Sequence, residues 1–302
     1  MRFLFVDQIL QLSPGTYIKG VKHITADDFY LTRNDSGKAC FIPSLMGEVL
    51  GQLAAWNVMQ QNDFTLRPVA GVVASARMFR PAYLGETLLL ESFIDALDET
   101  AVEYHSVASI GKEIVFTIEG ALGPLLPMTD FIEVDAVKRQ FSKVYRLSDK
   151  VENFEEIAEL KSLSLLSNSP NDYTMSFDRI LASEPAVSMV AEKRLTGAAP
   201  YFPDHFPNKP VLPLTVLLEC KLNLAKVFIQ CAGFTNDYTF SECRKIKMNG
   251  FVEPGDCLIS YVKVKQQDDN QLILSYRSEV EGKRVCVVDL VFHSQRFLTD
   301  EK

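Results

Sequence analysis

The stretch that decides the reading is Tyr201-Phe202-Pro203-Asp204-His205-Phe206-Pro207-Asn208-Lys209-Pro210-Val211-Leu212-Pro213. Four prolines in thirteen residues fix φ repeatedly and make a stiff, extended loop. His205 is held in that loop, outside any regular element. An imidazole titrates near neutrality and serves as a general base without large tuning. Directly after the loop, 215–230 predicts a long helix that is apolar on most faces and carries Glu219. Such a helix is buried rather than laid on a surface. A carboxyl group on a buried helix is held protonated by desolvation and can act as an acid. A His base beside a carboxylic acid suits removal of a proton α to a carbonyl, coupled to loss of a β-hydroxyl.

Moving outward, the chain repeats itself. Val6-Asp7-Gln8-Ile9-Leu10 parallels Phe177-Asp178-Arg179-Ile180-Leu181, an offset of 171 (178 minus 7). Ile42-Pro43 parallels Leu212-Pro213 at 170, and Glu48 and Gln52 parallel Glu219 and Asn223 at 171. Tyr83-Leu84-Gly85-Glu86-Thr87-Leu88 parallels Glu253-Pro254-Gly255-Asp256-Cys257-Leu258 at 170, and Gly111-Lys112 parallels Gly282-Lys283 at 171. A nearly constant offset kept in order along the chain marks a duplicated domain. The copies are expected at 1–126 and 173–302, joined by a linker at 127–172 with a helix-like piece near 153–166. Each copy reads as an extended stretch (17–22, 186–191), a buried helix (45–60, 215–230), then three alternating strands. Those strands are expected at 87–94, 102–109 and 113–121, and again at 258–265, 272–279 and 284–292. One buried helix against a long antiparallel sheet, twice, is an α+β arrangement.

Composition bounds the rest. Of 302 residues, 47% are hydrophobic and 23% charged, the mix of a folded globular chain. Thirty-nine acids against 31 bases leave a net charge of -8, which argues against nucleic acid as a partner. The six cysteines form no C-x-x-C pair and read as reduced, mostly buried thiols, so no metal is expected. No run approaches the roughly 18 apolar residues of a membrane span, and Asp7 interrupts the apolar opening early, so no membrane insertion and a cytoplasmic location are expected. Nothing resembles a P-loop or a dinucleotide fingerprint, so no cofactor is expected.

The HFPxKPxxP pattern, followed by an apolar helix with an acid fourteen positions beyond the His (219 minus 205), resembles the 3-hydroxyacyl-[acyl-carrier-protein] dehydratases of the FabA/FabZ type. Phe177-Asp178-Arg179-Ile180-Leu181 resembles that family's opening, and Ala76-Arg77-Met78-Phe79-Arg80-Pro81 with Gly85 resembles its ARFKRPVxPGD stretch. The resemblance implies a double hotdog, in which two long helices are each wrapped by a curved antiparallel sheet. It implies dehydration of a 3-hydroxyacyl thioester, on acyl carrier protein or CoA, to a trans-2-enoyl thioester. The family's site lies at the interface of two subunits and takes the His from one and the acid from the other. On a fused pair this joins His205 with Glu48 and leaves Glu219, the alternative acid, in a second site. Opposite His205, copy one offers Asp35 (43 minus 8), with no ring nitrogen nearby. Gln52, Phe206 and the backbone N–H of Leu214 are the expected substrate contacts. Leu214 replaces the family's Gly, and copy one lacks one residue before its helix. Arg77, Arg80, Lys283 and Arg284 are candidates to attract an acidic carrier locally. A thioesterase and a non-catalytic acyl-chain binder or stabilising partner are the competing readings, and oligomers of pseudo-dimers are possible.

Overall fold

The computed structural model describes residues 3–24, 28–34, 36–145, 175–195, 199–234 and 238–294. In chain order the first half runs β1 (Gln8–Ser13), β2 (Tyr17–His23), β3 (Leu31–Arg33), β4 (Ala39–Phe41) and α1 (Leu45–Gln61). Then come β5 (Leu66–Pro68), β6 (Val72–Met78), β7 (Thr87–Leu97), β8 (Ala101–Ile110), β9 (Glu113–Pro127) and α2 (Val134–Val144). The second half has β10 (Arg179–Glu184), β11 (Ser188–Arg194), α3 (Leu214–Ala232), β12 (Tyr238–Met248), β13 (Cys257–Gln267), β14 (Gln271–Val280) and β15 (Lys283–Ser294).

The strand path is β1-β2-β7-β8-β9-β6-β12-β15-β14-β13-β11-β10, with β5 pairing β9 from the side. Read from the middle, the order is a palindrome. β6 and β12 stand at the centre, then β9 and β15, β8 and β14, β7 and β13, β2 and β11, β1 and β10. Each half of the sheet lies against its own helix. This is a hotdog α+β fold, present twice and continuous across the middle. The seam is antiparallel, pairing Arg77 with Glu242, Ala76 with Cys243 and Ser75 with Arg244.

The helices are buried because their sequences have almost no polar face. In α1, Leu45, Val49, Leu50 and Leu53 are fully inaccessible, and Trp56 and Met59 nearly so. Asn57 is also fully buried, and is satisfied: its Nδ2 donates to the carbonyls of Ser13 and Tyr17, and its Oδ1 accepts from Gly15 N–H at 2.7 Å. That side chain fastens the β1–β2 turn to the helix. Gly20 lets β2 come close, since a Cβ there would sit 2.9 Å from Leu53 Cδ1 and 2.8 Å from Gln8 O. α3 stops at Gly233, which takes φ +65° and closes the helix with its N–H on Gln230 O.

The expected helices and the three closing strands of each copy are where the sequence places them, with β9 running six residues further, to Pro127. Three expectations change. The 186–191 stretch begins with a turn: Ala186 has φ +59°, and β11 starts at Ser188. The segment after Pro127 is not plain linker. α2 buries Val137, and Phe141 packs on Trp56 and Phe64 at 5.7 and 5.3 Å between ring centroids. β6 and β12, which create the seam, have no counterpart in the expected elements. The helix-like piece at 153–166 and Asp35 lie outside the described residues.

Candidate active site

His205 is placed by the stiff loop and by three anchors. Its N–H donates to Tyr201 O at 2.9 Å, Val211 N–H donates back to His205 O at 3.0 Å, and Asn208 N–H donates to Phe131 O at 2.8 Å. Phe3 N–H donates to Asp204 Oδ2 at 2.7 Å, so the start of copy one holds the loop of copy two. His205 Nδ1 is 3.0 Å from Val211 O. A carbonyl can only accept, so Nδ1 carries the hydrogen and Nε2 of the neutral ring keeps its lone pair. Burial lowers the His205 pKa below its ordinary 6.5, opposed by Glu48 and by the Val211 carbonyl and reinforced by Arg67. The ring is therefore neutral at neutral pH, as a base must be.

Glu48 sits one turn into α1 and is gripped from both copies. Gln52 Nε2 donates to Oε1 at 3.0 Å, and Thr215 Oγ1, from α3, reaches Oε2 at 2.9 Å. Gln52 is itself fixed, accepting from Phe5 N–H at 2.9 Å and donating to Phe3 O at 3.0 Å. A hydroxyl can donate to a carboxylate or accept from a carboxylic acid, so Thr215 can serve Glu48 in either protonation state.

The matching arrangement around Glu219 faces the other way. Ser44 Oγ donates to Glu219 Oε2 at 2.9 Å, and Asn223 Nδ2 lies 3.5 Å from Oε1. Ser44 and Thr215 are 171 apart, as are the acids, so each helix start donates a hydroxyl to the acid of the other helix. The missing residue of copy one is thus absorbed between Pro43 and Ser44, and Glu48 keeps its register. Burial raises the Glu219 pKa above 4.5, against Ser44 and Lys226.

His205 and Glu48 line one cavity of about 360 Å³, together with Gln52, Phe206, Leu214 and Thr215. Glu219 is not part of its wall. Helix α1 opens the space with Gly47, Gly51, Ala54 and Ala55. At the same offset α3 carries Leu218, Leu222, Ala225 and Lys226. Leu214 and Thr215 bring the first turn of α3 to the cavity, where a helix leaves N–H groups without intrahelical partners and favours negative charge.

Arg67 and Tyr104 are among the lining residues that escaped the sequence reading. Tyr104, on β8, has its hydroxyl 3.7 Å from where a Cβ on Gly51 would stand, and burial, then Glu48, pushes its pKa up to about 12. Their only sequence signal is a polar residue beside an apolar run. Of the surface bases, Arg80 is taken up by Glu86 at 2.9 Å and Glu113 at 2.8 Å, and Arg77 lies 3.5 Å from Glu242. Among the described residues no group of three or more His, Cys, Asp or Glu side chains could hold a metal, and no helix is long and apolar enough to cross a membrane.

Residues 169–289 match the FabA-like domain family. The chain is similar to the 3-hydroxyacyl-[acyl-carrier-protein] dehydratase FabZ of Lactiplantibacillus plantarum, 29% identical over 136 residues that make up 44% of this chain and 92% of that one. It is 26% identical to FabZ of Pseudoalteromonas translucida over 47% of this chain and 98% of the other. Among solved structures, the dehydratase domain of PpsC from Mycobacterium tuberculosis, in complex with C12:1-CoA, superposes over 96% of this chain and 97% of its own, with a TM-score of 0.54 and 11% identity. An acyl-ACP thioesterase from Bacteroides thetaiotaomicron does so over 91% and 97%, with a TM-score of 0.52 and 10% identity. At such identities the structural likeness speaks for the fold alone.

Proposed function

For this hotdog protein of the FabA/FabZ type, we propose dehydration of a 3-hydroxyacyl thioester to the trans-2-enoyl thioester, at one site shared by two fused copies, 1–126 and 173–302. The observation that carries the reading is the convergence of His205 from copy two and Glu48 from copy one on a single cavity. His205 Nε2 takes the proton from C2 of the substrate. The thioester oxygen gains negative charge and is met by N–H groups at the start of α3, Leu214 included. Glu48, as the carboxylic acid, gives its proton to the departing 3-hydroxyl, which leaves as water. Gln52 and Thr215 hold Glu48 in place, and Phe206 packs at the reacting end. The carrier is acyl carrier protein or CoA. Glu219 stands in a second site whose opposing loop offers no histidine in the sequence, and its part there is structural.

The test is enoyl formation from a 3-hydroxyacyl-CoA by His205→Ala, Glu48→Gln and Glu219→Gln. The first two are expected to lose about 10²-fold or more in kcat/KM, the scale of a positioned acid or base. Glu219→Gln is expected to stay within severalfold of the parent. Loss confined to Glu219→Gln sinks the cross-copy assignment. Release of free thiol from an acyl-CoA without enoyl product would favour thioester hydrolysis instead. A tight protein partner with no turnover at any chain length would favour a non-catalytic role.

A further inference from the structure

The chemistry just proposed leaves Arg67 without a task. It lies on β5, directly after α1, and forms part of the cavity wall. Its Nε is buried and has no hydrogen-bond partner, and the side chain makes no ion pair with any described residue. The guanidinium lies on the Phe206 ring, 3.9 Å from its centroid. Burial brings its pKa down to about 10, opposed by Glu48, so it stays charged at neutral pH. Arg67 as a whole is half-buried, but a cation with a buried Nε and no ion pair is costly to hold at a cavity wall, and an apolar side chain of similar size would cover the same space without that cost. Its fork of donors is shaped for an oxygen anion.

The position of Arg67 says which part of a substrate could supply that anion. It stacks on the residue next to His205 and lies within electrostatic reach of both His205 and Glu48. A phosphate on the carrier arm is separated from the reacting thioester by the whole pantetheine arm. The acyl group is what fills the space beside the catalytic pair. The neighbouring wall is apolar, with Ala54, Ala55, Val58 and Val72 available to methylenes.

We propose that Arg67 forms a carboxylate subsite, selecting thioesters whose acyl group carries a free carboxylate at its far end. The proposal rests on the dehydratase reading of the same cavity. Calorimetric binding of adipoyl-CoA, hexanoyl-CoA and free CoA to the full chain tests it, using the parent, Arg67→Met and Arg67→Lys. The parent is expected to bind adipoyl-CoA roughly 10- to 100-fold more tightly than hexanoyl-CoA, the scale of a hydrogen bond to a charged group. Arg67→Met abolishes that preference and Arg67→Lys, a point charge, keeps part of it. The melting temperature of Arg67→Met is expected to stay level or rise. Equal binding of the two acyl-CoAs by the parent overturns the proposal. So does a preference that survives in a less stable Arg67→Met, which makes the residue structural. If Arg67→Met weakens free CoA as much as adipoyl-CoA, the guanidinium serves the phosphates and the acyl subsite falls. Enoyl formation by the parent is measured alongside from both 3-hydroxyadipoyl-CoA and 3-hydroxyhexanoyl-CoA. Carboxylate preference without dehydration keeps the subsite and sinks the dehydratase reading, while dehydration without preference does the reverse.

Discussion

Glu48, half-buried, and Glu219, buried, occupy equivalent helix positions and have different prospects. Glu48 faces the cavity with His205, whereas Glu219 faces Ser44 and Cys40, whose thiol burial and then Glu219 push up to about 11. The pH consequences separate them. Because the pKa of His205 lies below 6.5, the acid limb of kcat/KM for dehydration is expected below that value. A pH–rate profile checks it, and a limb above 6.5 contradicts it. Glu219 has its folded pKa raised above 4.5, so the native state holds a proton that the unfolded chain has released. Its contribution to stability is full below pH 4.5 and is lost as pH rises through the folded value. Glu219→Gln is therefore expected to raise the melting temperature at pH 8 and to change it little at pH 4.5. The fixed position of His205 was legible because prolines announce a stiff loop. Arg67 was not, since nothing local tells an arginine that faces solvent from one that faces a cavity.

The asymmetry of the elements is one of side-chain volume. α1 presents Gly51 to the cavity, with open contact distance to Tyr104. Gly51→Ala is expected to stabilise the fold by about 0.5–1 kcal/mol through helix propensity, because the new methyl meets only ordinary contact. Chemical denaturation checks it. Ala54→Leu is expected to occupy acyl space and weaken binding of longer chains more than short ones, seen as a rise in KM with chain length. Both helices were legible from apolar runs between a proline loop and a turn. α2 carried a signal too, with Val134, Val137, Phe141 and Val144 at helical spacing. The charges around it hid that face. β6 and β12 were harder. β6 mixes small residues with Ser75 and Arg77, and β12 carries Arg244, Lys245 and Lys247. Each becomes a strand because the other is there, a long-range pairing that no local window contains.

At the scale of the molecule, the seam is polar as well as hydrogen-bonded through the backbone. Glu242 is 5% exposed and gathers Ser75, Arg244 and Arg77. Burial alone would raise its pKa, but these partners overcome burial and hold it below 4.5. It lends stability above pH 4.5 that disappears as pH falls through the folded value. Glu242→Ala is expected to cost about 1–3 kcal/mol at pH 7, the range for losing hydrogen bonds to a charged group. Urea unfolding at pH 7 and pH 4 checks it, with the smaller loss at low pH. The duplication was legible from offsets of 170 and 171 kept in order along the chain, whereas the assignment of His205 and Glu48 to one shared site rests on the family resemblance and belongs to the proposal. The way the halves join was not, since the end of β6 was read only as a motif and β12 was not assigned as an element.

The reciprocal hydroxyl-to-acid bonds across the two helices have an evolutionary corollary. In a dimer of identical subunits, any codon change is written into both sites at once, so a site cannot be given up without losing its twin. Fusion breaks that bond of inheritance. Here Ser44 and Glu219 persist as a rivet between the helices while the loop opposite carries no histidine, so on the proposed reading one of the two sites is left to chemistry and the other to holding the helices together.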